Sequence, residues 1–155
     1  TTLLFVGDGG LRTQLQKYAD DHAMKSVHFV GFQTRKEIPK FYTVSDLLVL
    51  PSNQETWGIV VNEAMCFGLP VITSDQVGAF RDMIKEGQNG FSFPKGDIDA
   101  LANNITRIID MDEDSKGATG AKSREIIEKW CEKDLSGSII SYIDGLGSRN
   151  ATKRK

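Results

Sequence analysis

Two carboxylates, Glu55 and Glu63, bracket the stretch "TWGIVVN", which is mostly apolar and carries one glycine. Ionised carboxylates accept hydrogen bonds from hydroxyl groups, and such charge-assisted bonds are the stronger kind. The pattern predicts a helix from about Trp57 to Phe67, stopped by Gly68 in the left-handed conformation, with Pro70 opening the next strand. The first turn of any helix holds amides without an internal partner. Here they belong to about Trp57, Gly58, Ile59 and Val60. They carry the positive end of the helix dipole and form a natural anion site. Gly58 has no Cβ, so a ligand can come close to the backbone. Glu55 then lies in the loop beside a held anion, and Glu63 lies less than ~10 Å along the helix axis. A ligand with an anionic middle and hydroxyl-bearing groups at both ends fits this layout. A nucleotide sugar, built of sugar, diphosphate and ribose, is such a ligand. A plainer reading stands beside it: acids near a helix N-terminus gain about a few tenths of a kcal/mol from the dipole with no ligand involved.

The elements that must hold these groups are legible as short apolar strands separated by helical patterns. Strands are expected at Leu3–Val6, Val27–Val30, Asp46–Leu50, Pro70–Thr73 and Gly90–Phe93. Their continuous apolarity suits parallel strands covered on both faces. Leu11, Leu15, Tyr18 and Ala19 recur at helical spacing after the turn "GDGG". Ile38, Phe41, Tyr42 and Ser45 follow Thr34, whose partner Glu37 completes a capping box, while Pro39 means a kink or a late start. A short helix is expected at about Ala79–Lys85, before the turn "EGQNG". Asp97 caps a helix to about Ile109, with Ile98, Leu101, Ala102, Ile105 and Ile108 on one face. "DMDEDSKGATG" reads as a polar loop. Two last helices are expected at about Ser123–Lys133 and Leu135–Leu146, the first with Ile126, Ile127 and Trp130 as an apolar face. This alternation reads as α/β, a doubly wound parallel sheet of about five or six strands with helices on both faces. Ligands of such sheets bind outside the carboxyl ends of the strands, and the loop Pro51–Thr56 lies at that edge.

Composition narrows the function classes. The chain has 155 residues, about one domain, and a formal net charge of -2 with acids and bases interspersed. No basic field on the scale of a nucleic-acid binder is present. The terminal "KRK" reads as a solvated tail. No apolar run approaches the length that spans a bilayer, and no signal peptide is visible. Cys66 and Cys131 lie far apart without metal-type spacing and read as buried thiols in predicted helices. The chain opens directly on an apolar strand, which reads as a domain cut from a longer protein. His22 and His28 have no catalytic partner nearby in sequence and read as structural.

The stretches "FVGDGG" (Phe5–Gly10), "VHFVGF" (Val27–Phe32), "FYTVSDLLVLPSNQETWGIVVNEAMCFGLPVITSD" (Phe41–Asp75) and "IKEGQNGFSF" (Ile84–Phe93), with the helix carrying "DIDALANNI", follow one another in a telling order. Together they resemble the donor-binding half of the retaining glycosyltransferases of family 4, also called glycosyl transferases group 1. The most specific part is the central block: strand, "PS", the two glutamates with seven residues between, "EAM", then "G-x-PVI". The resemblance spans about Leu3–Leu146. It implies a GT-B fold, in which two Rossmann-like domains face each other across a cleft. Residues 1–146 would be the carboxy-terminal, donor-binding domain, and 147–155 a disordered polar tail with an unused "NAT" sequon. The amino-terminal acceptor domain would be absent from this chain, as would the Arg and Lys that such enzymes place before the first strand.

By that resemblance, Glu55 is the catalytic group, touching the donor sugar hydroxyls. The amides of Trp57, Gly58, Ile59 and Val60 meet sugar and diphosphate, and Glu63 binds the ribose. Phe32 to Arg35 border the base. Trp57 departs from the Phe common at its position. Gly7 and Gly9 of the "GDGG" turn and Asp75 after the fourth strand are candidates for the rim; a plain turn explains each as well. The implied reaction is transfer of a hexosyl group from a nucleoside-diphosphate sugar to an acceptor hydroxyl with retention. No metal site and no cofactor are expected, the nucleotide sugar being the donor substrate. Expected partners are that nucleotide sugar, the missing domain and an acceptor of unstated kind. Nucleic acid is not among them. The location is expected to be cytoplasmic, with peripheral membrane contact open for a full-length form, and the isolated fragment is expected to be inactive. Two alternatives remain: a nucleotide-sugar binding module without its own chemistry, and a GT-B nucleotide-sugar epimerase. A pyridoxal-phosphate phosphorylase fits less well, since no Schiff-base lysine stands out.

Overall fold

The computed structural model describes residues 1–130. They form two compact units, one spanning Thr1–Ser45 and one beginning at Asp46. The expected helix at Leu135–Leu146, residues 147–155 and Cys131 lie outside the described residues.

In the first unit, β1 (Leu3–Val6) pairs in parallel with β2 (Val27–Gly31), Leu3 opposite Val27 and Leu4 opposite His28. The register shifts between Phe5 and Val6. The Phe5 and Phe29 rings stack with centroids 4.7 Å apart. Between the strands runs α1 (Arg12–Asp21), which buries Ala19. Leu11, Leu15 and Tyr18, which share its apolar spacing, are exposed. Next, α2 (Ile38–Thr43) starts late and takes Pro39 into its first turn, where no amide donor is needed. The Glu37 carboxylate reaches back to the Thr34 amide at 3.1 Å and accepts the Thr34 hydroxyl at 2.8 Å. Half of the expected capping box therefore forms, ahead of the helix instead of inside it.

In the second unit, β3 (Leu48–Leu50), β4 (Val71–Ser74) and β5 (Gly90–Phe93) make a parallel sheet in that order. Among the described residues four helices accompany them: α3 (Ile59–Cys66), α4 (Phe80–Met83), α5 (Ile98–Ile109) and α6 (Glu113–Glu128). Every residue of the central strand β4 is buried. Ile72, Phe91, Phe93 and Ile108 form one core cluster, on which Leu47, Leu101, Ile105 and Met111 pack. By strand alternation Val71 and Thr73 face the other way. α3 packs on β3 and β4 and buries Val61, Ala64 and Met65. Asp97 caps α5 as expected, accepting the Ala100 amide at 2.9 Å.

Three expectations are corrected. First, "DMDEDSKGATG" is no loop, since α6 begins at Glu113. Asp112 caps it by accepting the Ser115 amide at 2.7 Å, and Glu113 and Asp114 lie in its first turn, where the dipole favours acids. The helix expected from Ser123 is thus the second half of a longer one. Second, Ile98 and Ala102 are exposed, so the buried face of α5 is narrower than the sequence stripe. Third, the Cys66 thiol is exposed, on the outer face of the last turn of α3. Among the described residues, no helix is long and apolar enough to cross a membrane.

Candidate functional site

The helix that carries Glu63 begins two residues later than the sequence suggests. Gly58 is its N-cap, in the left-handed region with φ 88° and ψ 64°. A Cβ at Gly58 would stand 2.9 Å from Val77 Cγ1, 3.1 Å from Leu50 Cδ2 and 3.3 Å from Glu55 Cγ. Glycine is required here twice over, by the backbone angle and by the space. Trp57 and Gly58 therefore precede the helix. Ile59 and Val60 supply its first two amides, which lie ahead of the helical ladder. The third, Val61, already donates to the Gly58 carbonyl at 2.9 Å. Of the four amides expected from sequence, two thus open the helix. Ile59 is 63% exposed, whereas Val60 is half-buried and Val61 buried, so the turn opens to solvent on the Ile59 side.

Glu55 is held by its backbone. Its amide donates to the Gln76 carbonyl at 3.1 Å, and its carbonyl accepts the Gly78 amide at 2.9 Å. The Trp57 carbonyl accepts the Ala79 amide at 2.9 Å. These bonds lace the loop after β3 to the loop after β4, and Ser74 Oγ, which donates to the Ser52 carbonyl at 2.5 Å, ties the same two loops at the sheet edge. A Cβ at Gly78 would sit 1.9 Å from the Thr56 carbonyl oxygen, so the lacing requires glycine at that position too. The Glu55 side chain, half-buried, lies close to Gly58.

Glu63 is half-buried, four residues after Ile59. That is about one turn, so it sits on the Ile59 side, roughly 6 Å further along the axis. The Trp57 indole Nε1 donates to Asn62 Oδ1 at 3.0 Å, and its ring meets Trp130. At the far end α3 closes with left-handed Gly68: the Gly68 amide donates to Met65 O at 2.9 Å and the Leu69 amide to Ala64 O at 3.1 Å. This is the double bond pattern of a Schellman stop.

Asp75 stands exposed at the end of β4. Its carboxylate accepts the Gln76 side-chain amide at 2.9 Å and the Lys95 backbone amide at 3.0 Å, and these bonds hold its pKa below the ordinary value. It therefore ties the loop after β4 to the one after β5. Gly7, Gly9, Phe32 and Arg35 belong to the first unit. There Gly7 has φ 122°, Phe32 is 76% exposed and Arg35 is exposed. The second unit brings together Glu55, Trp57, Gly58, Ile59, Val60 and Glu63, with Asp75 beyond the lacing. Sequence reading missed Asn62 and Trp130 as partners of Trp57, and the lacing through Gly78. A glycine just past a strand end was the one visible signal for the latter. Among the described residues no group of three His, Cys, Asp or Glu side chains is arranged to hold a metal.

Parallel strands with a glycine-capped helix opening at the sheet edge, flanked by two glutamates, can now be set beside known proteins. The family profile described as Glycosyl transferases group 1 matches residues 1–125. The chain belongs to the glycosyl transferases group 1. A sulfoquinovosyl transferase of Arabidopsis thaliana is 34% identical over 131 residues, covering 83% of this chain and 25% of the relative. An N-acetyl-alpha-D-glucosaminyl L-malate synthase of Bacillus anthracis is 33% identical over 147 residues, covering 93% of this chain and 38% of the relative. Among solved structures, Anabaena HepE in complex with UDP superposes with a TM-score of 0.76 and 26% identity, over 96% of this chain and 41% of that one. The chain thus spans between a quarter and about two-fifths of these relatives. Its α/β architecture is that of GT-B glycosyltransferases.

Proposed function

We propose that the chain is the donor-binding part of a retaining glycosyltransferase that moves a hexosyl group from a nucleoside-diphosphate sugar to an acceptor hydroxyl. One observation carries the reading: the first turn of α3, at Ile59 and Val60, opens between a backbone-laced Glu55 and a Glu63 one turn further on. Amides at a helix start favour a diphosphate. Glu55 would accept hydroxyl hydrogen bonds from the sugar, and Glu63 from the ribose. As the bond from the anomeric carbon to the diphosphate oxygen breaks, charge grows on the leaving group. Fixed amides aimed at it stabilise that charge without reorganising. The UDP in the Anabaena protein supports a nucleotide as the ligand class, and the family supports sugar transfer.

The test is binding. Specific ligands raise stability by mass action, so a thermal-shift screen with millimolar nucleoside diphosphates and their sugars reads even a weak site. Calorimetry then compares Glu63→Ala with the parent. Loss of affinity supports the ribose role, whereas unchanged affinity for every nucleotide that the parent binds removes it.

A further inference from the structure

Trp57 and Trp130 are the two tryptophans of the chain, and they touch. Their ring centroids are 5.5 Å apart at an interplanar angle of 45°. The Trp57 indole is thus fixed on two sides, by Trp130 and by the bond to Asn62 Oδ1. Trp130 lies just past the end of α6, its amide donating to the Ile127 carbonyl at 3.0 Å. The body of α6 grips the opposite end of α3. Gly120 approaches so closely that a Cβ there would meet the Gly68 carbonyl oxygen at 2.3 Å. Ser123 Oγ donates to the Leu69 carbonyl at 2.7 Å, and Arg124 Nη2 to the Phe67 carbonyl at 3.2 Å. α6 therefore runs along α3 in the opposite sense, holding its C-terminal stop at one end and the residue before its N-cap at the other. Trp130 is 40% exposed, so core burial alone does not call for its contact with Trp57. Trp57 stands between Glu55 and Gly58 in the chain, and its carbonyl is part of the lacing. Its indole is tied to Asn62 in the first turn of α3, so this side chain joins the loop that carries Glu55 to the start of the helix.

We propose that Trp130, together with Asn62, is a positioning residue for the sugar end of the donor site. Both hold the Trp57 indole in one orientation, and so hold Glu55 and the opening amides of α3 in register with each other. Aromatic pairs of this kind have directional preferences that fix geometry beyond the area they cover. The role rests on the donor-site reading above. It predicts that loosening Trp57 harms recognition of the sugar more than recognition of the diphosphate.

The test uses the chain and three variants, Trp130→Ala, Trp130→Phe and Asn62→Leu. Calorimetry measures UDP against UDP-glucose, ADP against ADP-glucose and GDP against GDP-mannose, with thermal melting as the check on folding. Trp130→Phe keeps an aromatic ring against Trp57 and binds as the parent does. It also leaves Trp57 as the one tryptophan, so its emission shifts when a sugar-bearing ligand binds. Trp130→Ala and Asn62→Leu lose about five- to tenfold more affinity for the sugar-bearing ligand than for the bare diphosphate. A purely structural role would weaken both ligands alike, and that result, or no loss at all, overturns the proposal. Should Trp130→Ala fail to fold, the comparison of Asn62→Leu with Trp130→Phe decides between the same two outcomes. A parent that binds none of the six ligands sinks the donor-site reading, and the positioning role falls with it. A parent that binds while the variants match it sinks the positioning role alone.

Discussion

The Gly78 amide donates to the Glu55 carbonyl at 2.9 Å, and the space beside Gly78 is filled by the Thr56 carbonyl oxygen. The acid proposed to meet the sugar is therefore placed by main chain, through bonds between residues more than twenty positions apart. Gly78→Ala would set a Cβ 1.9 Å from the Thr56 oxygen, so the lacing must open. Overpacking of this kind destabilises by about 1–3 kcal/mol. The expected outcome is a lower melting temperature and at least a tenfold loss of affinity for the sugar-bearing nucleotide that the parent binds, measured by scanning and titration calorimetry. Unchanged affinity in Gly78→Ala would mean that Glu55 does not depend on this bond.

Two glycines of α6 should respond in opposite directions. Gly117 has open space where a Cβ would go, in a helix interior. Gly117→Ala should therefore stabilise by ~1 kcal/mol through helix propensity. Gly120 faces the Gly68 carbonyl, and Gly120→Ala should destabilise by about 1–3 kcal/mol. Denaturant melts of the two variants read the difference, and equal shifts would contradict the close packing of α6 on α3.

Much of this was written in local pattern. Among the described residues the five strands are short apolar runs, four of which end at glycine or proline while β4 opens after Pro70, and Gly68 stops α3 as its position suggests. What escaped was tertiary. Gly117 and Gly120 made α6 look like a loop, because propensity counts glycine against a helix and cannot know that Gly120 is needed for contact with α3. The cap at Asp112 with acids after it was the contrary signal. At the site, the pair of glutamates was legible, but the late start of α3 was not. It comes with Gly58 in the left-handed region, at a spot where a Cβ would meet Val77, Leu50 and Glu55. The Trp57–Trp130 contact joins residues more than seventy positions apart, and no spacing rule reaches that far.

Acid should weaken one surface network in a defined window. Glu125 accepts from Lys122 and Lys129, both at 2.8 Å, and these bonds lower its pKa from 4.5 to about 2. Because the folded-state pKa is depressed, the contribution is complete above about pH 4.5 and fades as pH falls toward about 2. Glu125→Gln should thus melt below the parent at pH 6, and the gap should close by pH 2. Added salt should shrink it at pH 6, since the group is exposed. A gap that is the same at both pH values would show that the ion pairs do not hold α6.

The bland account of the glutamates and the anion-site account part company at Ile59. This residue opens α3 and is 63% exposed, so a substitution there disturbs little packing. Ile59→Asp places a carboxylate at the first helical position, where the dipole stabilises it by about 0.3–1 kcal/mol. Stability without ligand should therefore rise slightly. If the same amides receive a diphosphate, the new charge repels it, and affinity for UDP or whichever nucleoside diphosphate binds best should fall about tenfold. The two effects have opposite signs, so a fault in folding cannot imitate the second. Thermal melts with and without nucleotide measure both at once. An Ile59→Asp variant that binds nucleotide as tightly as the parent would place the anion elsewhere than at the start of α3.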